Sequence, residues 1–269
     1  MKAMFRVFRL AALLSAAVLL RAADNQLTAA EQKAGWHLLF DGRTFANWED
    51  PSRKSPPGDA FVIQDGCIKA VPHPKIQEDL LSSSTYVDFE LEWDWKVAPR
   101  ANTGMKYRIQ DIVSATGPAS EKFENKVNRA LQQRATERLQ TGERYTVSFE
   151  YQLVDNAGPD PSTNGARHAA GALYDILAPV KDATRPVGEF NHSRLVLRGK
   201  HVEHWLNGEK VVDGELDGPE ALEHLGRRWG TGSPVYELLI KEPRTQCPIA
   251  IQNHNDEAWF KNIKIRELK

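Results

Sequence analysis

From Trp36 onward, apolar and polar residues alternate in short runs separated by turns. Residues 87–97 read Val-Asp-Phe-Glu-Leu-Glu-Trp-Asp-Trp-Lys-Val, so Val87, Phe89, Leu91, Trp93, Trp95 and Val97 share one face and Asp88, Glu90, Glu92, Asp94 and Lys96 the other. A period of two marks a strand with one buried face. Met105 to Ile109 alternates in the same way. So does Tyr145 to Val154, with Val147, Phe149, Tyr151 and Leu153 on its apolar side. Further strands are expected at 193–198, 201–206, 235–240 and 259–267. Asp65-Gly66 separates Phe61-Val62-Ile63 from Cys67-Ile68, and Asn207-Gly208 separates His204-Trp205-Leu206 from Val211-Val212. Both pairs tolerate the positive φ of a two-residue turn and predict hairpins.

Two stretches break this rhythm. Residues 120–140 are polar, contain alanine and lack Pro and Gly, which predicts a short surface helix inserted between strands. Residues 155–171, rich in Gly, Pro, Asn and Asp, predict a long loop, where binding groups often sit on a rigid scaffold. No βαβ rhythm, phosphate-binding glycine motif, HExxH or GxSxG is present, which argues against a Rossmann or barrel enzyme. Many alternating strands point to an all-β fold of two packed antiparallel sheets, with residues 35–269 as one domain.

Charge changes the picture at the N-terminus. The 269 residues carry 35 Lys+Arg against 36 Asp+Glu, a net of -1, which argues against a nucleic-acid partner. The start, Met1-Lys2-Ala3-Met4-Phe5-Arg6, followed by an apolar run from Leu10 to Leu20 and then Ala22-Ala23, has the layout of a secretory signal peptide over residues 1–23. The run is shorter than the roughly 20 residues that span a bilayer. Arg21 is a poor residue three positions before a cut after Ala23, which leaves open another cut or a retained anchor. Export to the periplasm or medium is expected, with residues 24–34 as a leader and no transmembrane domain. Loss of Lys2, Arg6, Arg9 and Arg21 leaves 31 basic against 36 acidic residues, a net of −5. An oxidising compartment permits a Cys67–Cys247 bridge, and two buried thiols fit the pattern equally.

The polar strand faces carry the candidate chemistry. Glu90, Glu92 and Asp94 share one face, Lys106 and Arg108 another, and Thr146, Ser148, Glu150 and Gln152 a third. If these strands are neighbours, the groups carpet one sheet surface; a merely solvated outer face has the same pattern. Glu150 to Asn156 stands at the mouth of the long loop, His168 and Tyr174-Asp175 return from it, and Asn253-His254-Asn255-Asp256 forms a turn before the last strand. Mixed donors, acceptors and aromatic rings suit sugars. Trp93 and Trp95 lie on the apolar alternation and are expected in the core. His204, between Val202 and Leu206, reads as structural as readily as catalytic, and His37 and His73 have no supporting constellation. No metal-ligand spacing is diagnostic.

Several motifs, in order, resemble one family. They include Gly35-Trp36-His37-Leu38-Leu39-Phe40-Asp41-Gly42, Asn102-Thr103-Gly104-Met105-Lys106-Tyr107-Arg108, Glu150-Tyr151-Gln152-Leu153-Val154-Asp155, Gly171-Ala172-Leu173-Tyr174, His204-Trp205-Leu206-Asn207-Gly208 and Trp259-Phe260-Lys261-Asn262. Together they resemble the 3-keto-disaccharide hydrolase domain family, once described as a domain of unknown function, over about residues 35–268. The resemblance implies a concanavalin A-like antiparallel jelly-roll β-sandwich and exported bacterial proteins, some acting on glycosides oxidised at C3. Glu150, Gln152 and Asp155 match the family's Glu-Gln-Asp motif. Glu189-Phe190-Asn191 stands where Glu-Trp-Asn is usual, and Asn253 replaces an acidic residue before His254. The segment 111–144 is longer than the family leads one to expect.

A C3 ketone acidifies the C2 hydrogen, so a base removes it, the enolate is stabilised, and the aglycone leaves from C1 before water adds. Chemistry and resemblance together nominate Glu150, Asp155 and His254 as catalytic. They nominate Glu90, Glu92, Lys106, Arg108, Gln152, His168, Tyr174, Asn191 and Asn253 as substrate-binding. A divalent cation is a candidate cofactor, with Asp155 either binding it or orienting an imidazole, and a saccharide or oxidised glycoside is the expected partner. A non-catalytic carbohydrate-binding module, a structural envelope protein and an ordinary glycosidase with paired carboxylates are the competing readings.

Overall fold

The computed structural model describes residues 23–54, 57–133, 142–158 and 165–269. The signal-peptide reading falls outside them apart from Ala23, as do residues 134–141 at the end of the expected helix and 159–164 of the long loop. The strands among the described residues are β1 (His37–Leu38), β2 (Trp48–Glu49), β3 (Phe61–Gln64), β4 (Cys67–Ala70), β5 (Ile76–Gln77), β6 (Leu80–Ser82), β7 (Phe89–Val97), β8 (Asn102–Ser114), β9 (Gly142–Val154), β10 (Asn191–Arg198), β11 (His201–Leu206), β12 (Glu209–Glu215), β13 (Ala250–Ile251) and β14 (Ala258–Glu267). They form two sheets. One runs β12-β11-β10-β7-β14-β4-β3, with β1 also on β14; the other runs β2-β6-β13-β8-β9-β5. Every pairing is antiparallel except β5 with β9. This is the expected all-β sandwich of the concanavalin A type.

The alternation places the core. Phe89, Leu91, Trp93, Trp95 and Val97 of β7 are buried, as are Val147, Phe149, Tyr151 and Leu153 of β9. Val87 falls outside β7 and is exposed. Both hairpins form: Gln64 pairs with Cys67 and Leu206 with Glu209, and Asp65, Gly66, Asn207 and Gly208 all have positive φ. Cys67 and Cys247 are buried free thiols.

A chain of polar groups crosses the sandwich interior. Trp95 Nε1 donates to Ser193 Oγ (2.8 Å), Ser193 Oγ to Tyr151 OH (3.1 Å), and Tyr151 OH to the Trp205 carbonyl (2.9 Å). His204, fully buried, stacks on Tyr151. Its Nδ1 lies 2.9 Å from the Gly171 carbonyl and its Nε2 3.0 Å from Tyr107 OH. The carbonyl can only accept, so Nδ1 carries the proton. Burial pushes the imidazole pKa down to about 4, so the ring is neutral, Nε2 accepts, and Tyr107 donates. His204 is thus a satisfied core histidine.

Helices cover the outer face of the six-stranded sheet. α1 (Ala29–Lys33) is the exception, preceding β1 and pairing Glu31 with Lys264 of β14 in the other sheet; α2 (Phe123–Gln133) is the expected inserted helix. Two helical segments differ from expectation. α3 (Pro219–Trp229) starts with Pro219 in its first turn, carries Ala221, Leu225 and Trp229 at i, i+4 and i+8, and ends at Gly230 with φ 87°. The expected strand at 235–240 is helical: Pro234–Tyr236 runs into a π-helical Glu237–Lys241. Ser233 Oγ caps it by accepting from the Tyr236 N–H (3.1 Å), and Val235, Tyr236 and Leu239 are buried, a helical spacing within a short apolar run.

Replacing Tyr107 by Phe leaves His204 Nε2 buried without a donor. Such an orphaned group costs about 1–3 kcal/mol. Denaturant titration is expected to show a loss in that range; an unchanged midpoint would contradict the assigned tautomer.

Candidate functional site

The six-stranded sheet sends Thr146, Ser148 and Glu150 of β9 and Lys106 of β8 to its outer face, because the opposite alternation fills the core. There they form the floor of a cavity of about 280 Å³. Asp79, immediately before β6, Gln252–His254, immediately after β13, and Tyr174-Asp175 make its walls, and Phe123 of α2, Leu225, Arg228 and Trp229 of α3, and Leu239 make the roof. The roof is tied together. Arg228 Nε lies 3.4 Å from Glu124, Asn128 Nδ2 donates to the Trp229 carbonyl (3.5 Å), and Tyr145 packs edge-on to Phe123 (5.0 Å) and beside Trp229 (5.8 Å).

At the centre, the Lys106 ammonium lies 2.8 Å from Asp79 Oδ2, and both side chains are almost fully buried. Burial disfavours the lysine charge, but Asp79 and Glu150 more than offset it, so its pKa stands above the ordinary value. Glu150 pairs with Lys106 in the β8–β9 register, yet its carboxylate has no hydrogen-bond or ion-pair partner among the described residues. Burial raises its pKa to about 7, with Asp79 pushing the same way and Lys106 and Arg228 restraining the rise. Gly104 makes room for it: a Cβ there would stand 2.6 Å from the Glu150 carboxyl carbon. Burial raises the Tyr174 hydroxyl to about 12, and partial withdrawal from water lowers the His254 imidazole pKa, so His254 is largely neutral at pH 7.

Of the nominated residues, Glu150, Lys106, Tyr174, His254 and Asn253 line this cavity. Asn253 is held by structure, donating from Nδ2 to the Ala60 and Val71 carbonyls (2.8 and 2.9 Å). Gln152 shares the floor's strand face and donates to Asn102 Oδ1 (3.1 Å). His168 stands beside it, 3.2 Å from Asp175 and packed at 4.5 Å and a 45° tilt against Tyr174.

The remaining nominations lie elsewhere. Glu90 and Glu92 belong to β7, whose neighbours are β10 and β14 in the other sheet, so the imagined single charged surface is split between two outer faces. There Arg266 Nε donates to Glu90 (2.7 Å), Arg194 also pairs with it, and Lys264 lies 2.9 Å from Glu92: cross-strand ion pairs, not a site. Arg108 parts from Lys106 because β8 bulges between Tyr107 and Asp111. With φ at 53°, it donates to the Gly199 carbonyl (2.7 Å) and also reaches the Thr245 carbonyl. Asp155 accepts from the Arg100 and Ala157 N–H groups (2.8 and 3.0 Å), and Asn191 accepts from the Arg185 N–H (2.8 Å); both line a separate cleft of about 370 Å³.

Asp79, Asn102, Arg228 and Gln252 were missed. Arg228 was within reach, because Ala221, Leu225 and Trp229 repeat at helical spacing. Asp79 gave no periodic signal before a three-residue strand. Among the described residues, the group that offers three ligand atoms within 4.8 Å of one another is His201, Glu203 and Asp213, on β11 and β12 of the other sheet. The Lys210 ammonium reaches two of them, Glu203 (3.0 Å) and Asp213 (2.6 Å).

The model of the 3-keto-alpha-glucoside-1,2-lyase-like domain matches residues 35–266. The chain belongs to this family. A 3-keto-disaccharide hydrolase of Bacteroides thetaiotaomicron is 28% identical over 250 residues, covering 87% of this chain and 79% of that one. A provisionally assigned glycosyl hydrolase from Parabacteroides distasonis superposes with a TM-score of 0.69 at 26% identity, over 92% of this chain and all of its own. A second Parabacteroides distasonis structure, at 23% identity and a TM-score of 0.58, covers 87% of this chain and 99% of its own and shares the fold. Membership in this hydrolase and lyase family supports enzymatic activity on carbohydrate.

Two measurements check the site. Gly104→Ala is expected to keep the fold but displace the Glu150 side chain, so that the carboxyl titration followed by NMR moves from about 7 towards the ordinary glutamate range; an unmoved titration contradicts the packing. Because folding raises this pKa, the native state holds a proton that the unfolded chain releases above about 4.5. That contribution is full below about 4.5 and is lost as pH rises through about 7. Glu150→Gln is therefore expected to be more stable than the wild type at pH 8 by about 1–3 kcal/mol, and the gap to close at pH 4.

Proposed function

We propose that this cavity cleaves 3-keto-glycosides by elimination, with Glu150 as the base. The observation that carries this reading is an unpartnered carboxylate, poised near neutrality, beside a buried ammonium that is already paired to Asp79. A general base works best when its pKa lies near the working pH. Glu150 takes the C2 proton, and the electrons of the C2–H bond move into the C2–C3 bond as the C3 oxygen becomes an enolate. The Lys106 ammonium stabilises that negative charge, and Asp79 holds the ammonium in place. The enolate then collapses: a C1–C2 double bond forms, the C1–O bond breaks, and the leaving oxygen takes a proton. Glu150, protonated in the first step, gives that proton to the leaving oxygen, and His254 stands at the cavity wall. Water adds at C1 of the enone, C2 regains a proton, and the net reaction is hydrolysis.

The B. thetaiotaomicron relative is named a 3-keto-disaccharide hydrolase, which supports the substrate class. The N-terminal segment supports an exported enzyme meeting extracellular or periplasmic glycosides. A divalent cation is not needed to hold the enolate in this reading, because Lys106 supplies the charge. In the glycosidase alternative, the second carboxyl would be Asp79, which Lys106 engages, Asp175, which His168 and Arg228 engage, or Glu143, which lines the same cavity.

Glu150→Gln is expected to lower kcat/KM on a 3-keto-disaccharide by at least about 10³-fold, near the middle of what a positioned base contributes. Full activity in the folded variant would remove Glu150 from the mechanism. Since the deprotonated form acts, kcat/KM is expected to rise with pH to a plateau above a midpoint near 7. A profile flat from pH 5 to 8 would contradict this.

A further inference from the structure

Three buried oxygens on the face that carries Glu150 meet no hydrogen-bond partner among the described residues: the acceptors Gln152 Oε1 and Gln252 Oε1, and the Thr146 hydroxyl. Buried polar groups are almost always paired, so each such orphan calls for an explanation. Thr146 and Gln252 line the cavity. Gln152 is opposite Gly104 in the β8–β9 register, and the Gln252 N–H donates to the Gly104 carbonyl (2.9 Å). The two glutamines therefore flank Gly104 in one row across three strands, spanning about 10 Å at ordinary strand spacing. Gly104 has no side chain, and the Glu150 carboxyl fills the space where one would stand. Gln152 Nε2 is already engaged, donating to Asn102 Oδ1. The row thus presents unfilled acceptors beside the base.

The charged groups around the cavity are mostly matched. Lys106 pairs with Asp79, Arg144 with Glu78, and Arg228 with Glu124 and Asp175. What remain unpartnered there among the described residues are the carboxylates of Glu150 and Glu143 and the two glutamine oxygens. That environment selects a ligand rich in hydroxyl donors and free of negative charge.

We propose that Gln252 and Gln152, on either side of Gly104, form a hydroxyl-reading subsite that takes an uncharged sugar ring and rejects uronates. Gln252 acts as a positioning and specificity residue: accepting a ring hydroxyl fixes the ring so that one carbon faces Glu150. This assignment rests on the proposed reading for the identity of the reacting carbon but not for the binding itself.

The test uses a probe that cannot be cleaved, 3-keto-1,5-anhydroglucitol, which lacks a leaving group, with its 2-, 4- and 6-deoxy forms and its uronate counterpart. Calorimetry on the full chain is expected to show tight discrimination by the wild type, with the uronate at least about tenfold weaker. Losing one hydrogen bond to a buried acceptor corresponds to about tenfold. Gln252→Leu is expected to bind the parent probe about tenfold more weakly and to lose the wild type's penalty for one of the deoxy forms, leaving the other two unchanged. Equal binding of the parent by the wild type and the Gln252→Leu variant, equal binding of the uronate by the wild type, or no binding by the wild type overturns the proposal. A merely structural glutamine would lower affinity for every form by the same factor. If the wild type discriminates as described yet turns over no keto-glycoside, the subsite stands and the elimination chemistry fails.

Discussion

One buried ammonium organises the site. Lys106 is taken out of water and is stable there only because Asp79 meets it at 2.8 Å. The same charge faces Glu150, which it does not bond. The result is a carboxylate held between two opposed effects: burial and Asp79 favour its proton, while Lys106 and Arg228 favour its charge. Neither effect wins outright, and the group settles near neutrality. Lysine next to a carboxylate is commonplace on a protein surface, where water screens the pair. Here the sheet and the helices above it remove the screening, so small changes of position become large changes of proton affinity.

The fold supplies that exclusion of water by covering a sheet face that sandwiches often leave solvated. The run from Thr103 to Gln110 on β8 is buried at every position, which an alternating strand reaches only when both of its faces are covered. The interior side packs against the other sheet; the outer side lies under α2, α3 and the helical turn through Leu239. The ties among Glu124, Arg228 and Asp175 and the rings of Phe123, Tyr145 and Trp229 hold the cover in place. The chemistry of β8 and β9 thus depends on segments far away in the sequence.

That dependence explains what could be read beforehand. Alternation marked β7, β9, β10 and β14, and it placed Trp93 and Trp95 in the core, because period two reports burial of a single face directly. It put Lys106 and Glu150 on exposed-looking polar faces, and register made them partners. It had no means of deciding which strands are neighbours, so Glu90 and Glu92 were joined to a surface that the topology gives to the other sheet. A bulge is equally silent: Arg108 is two residues from Lys106, and only the local turn of the chain separates them. Asp79 and Gln252 flank strands of two or three residues, too short for a pattern, and their roles arise from contacts made at long range. The helix of Pro234 to Lys241 was mistaken for a strand because its short apolar run fits both periods.

The central claim is that Glu150 removes the proton from C2 before the glycosidic bond breaks. Cleavage of a 3-keto-disaccharide in deuterium oxide, with the released 3-keto sugar examined by NMR at early times, tests it most directly. Elimination followed by water addition predicts one deuterium at C2 of the released sugar, absent from a control incubated without enzyme. A released sugar that retains its hydrogen at C2 would contradict the account, because direct displacement at C1 never touches that bond.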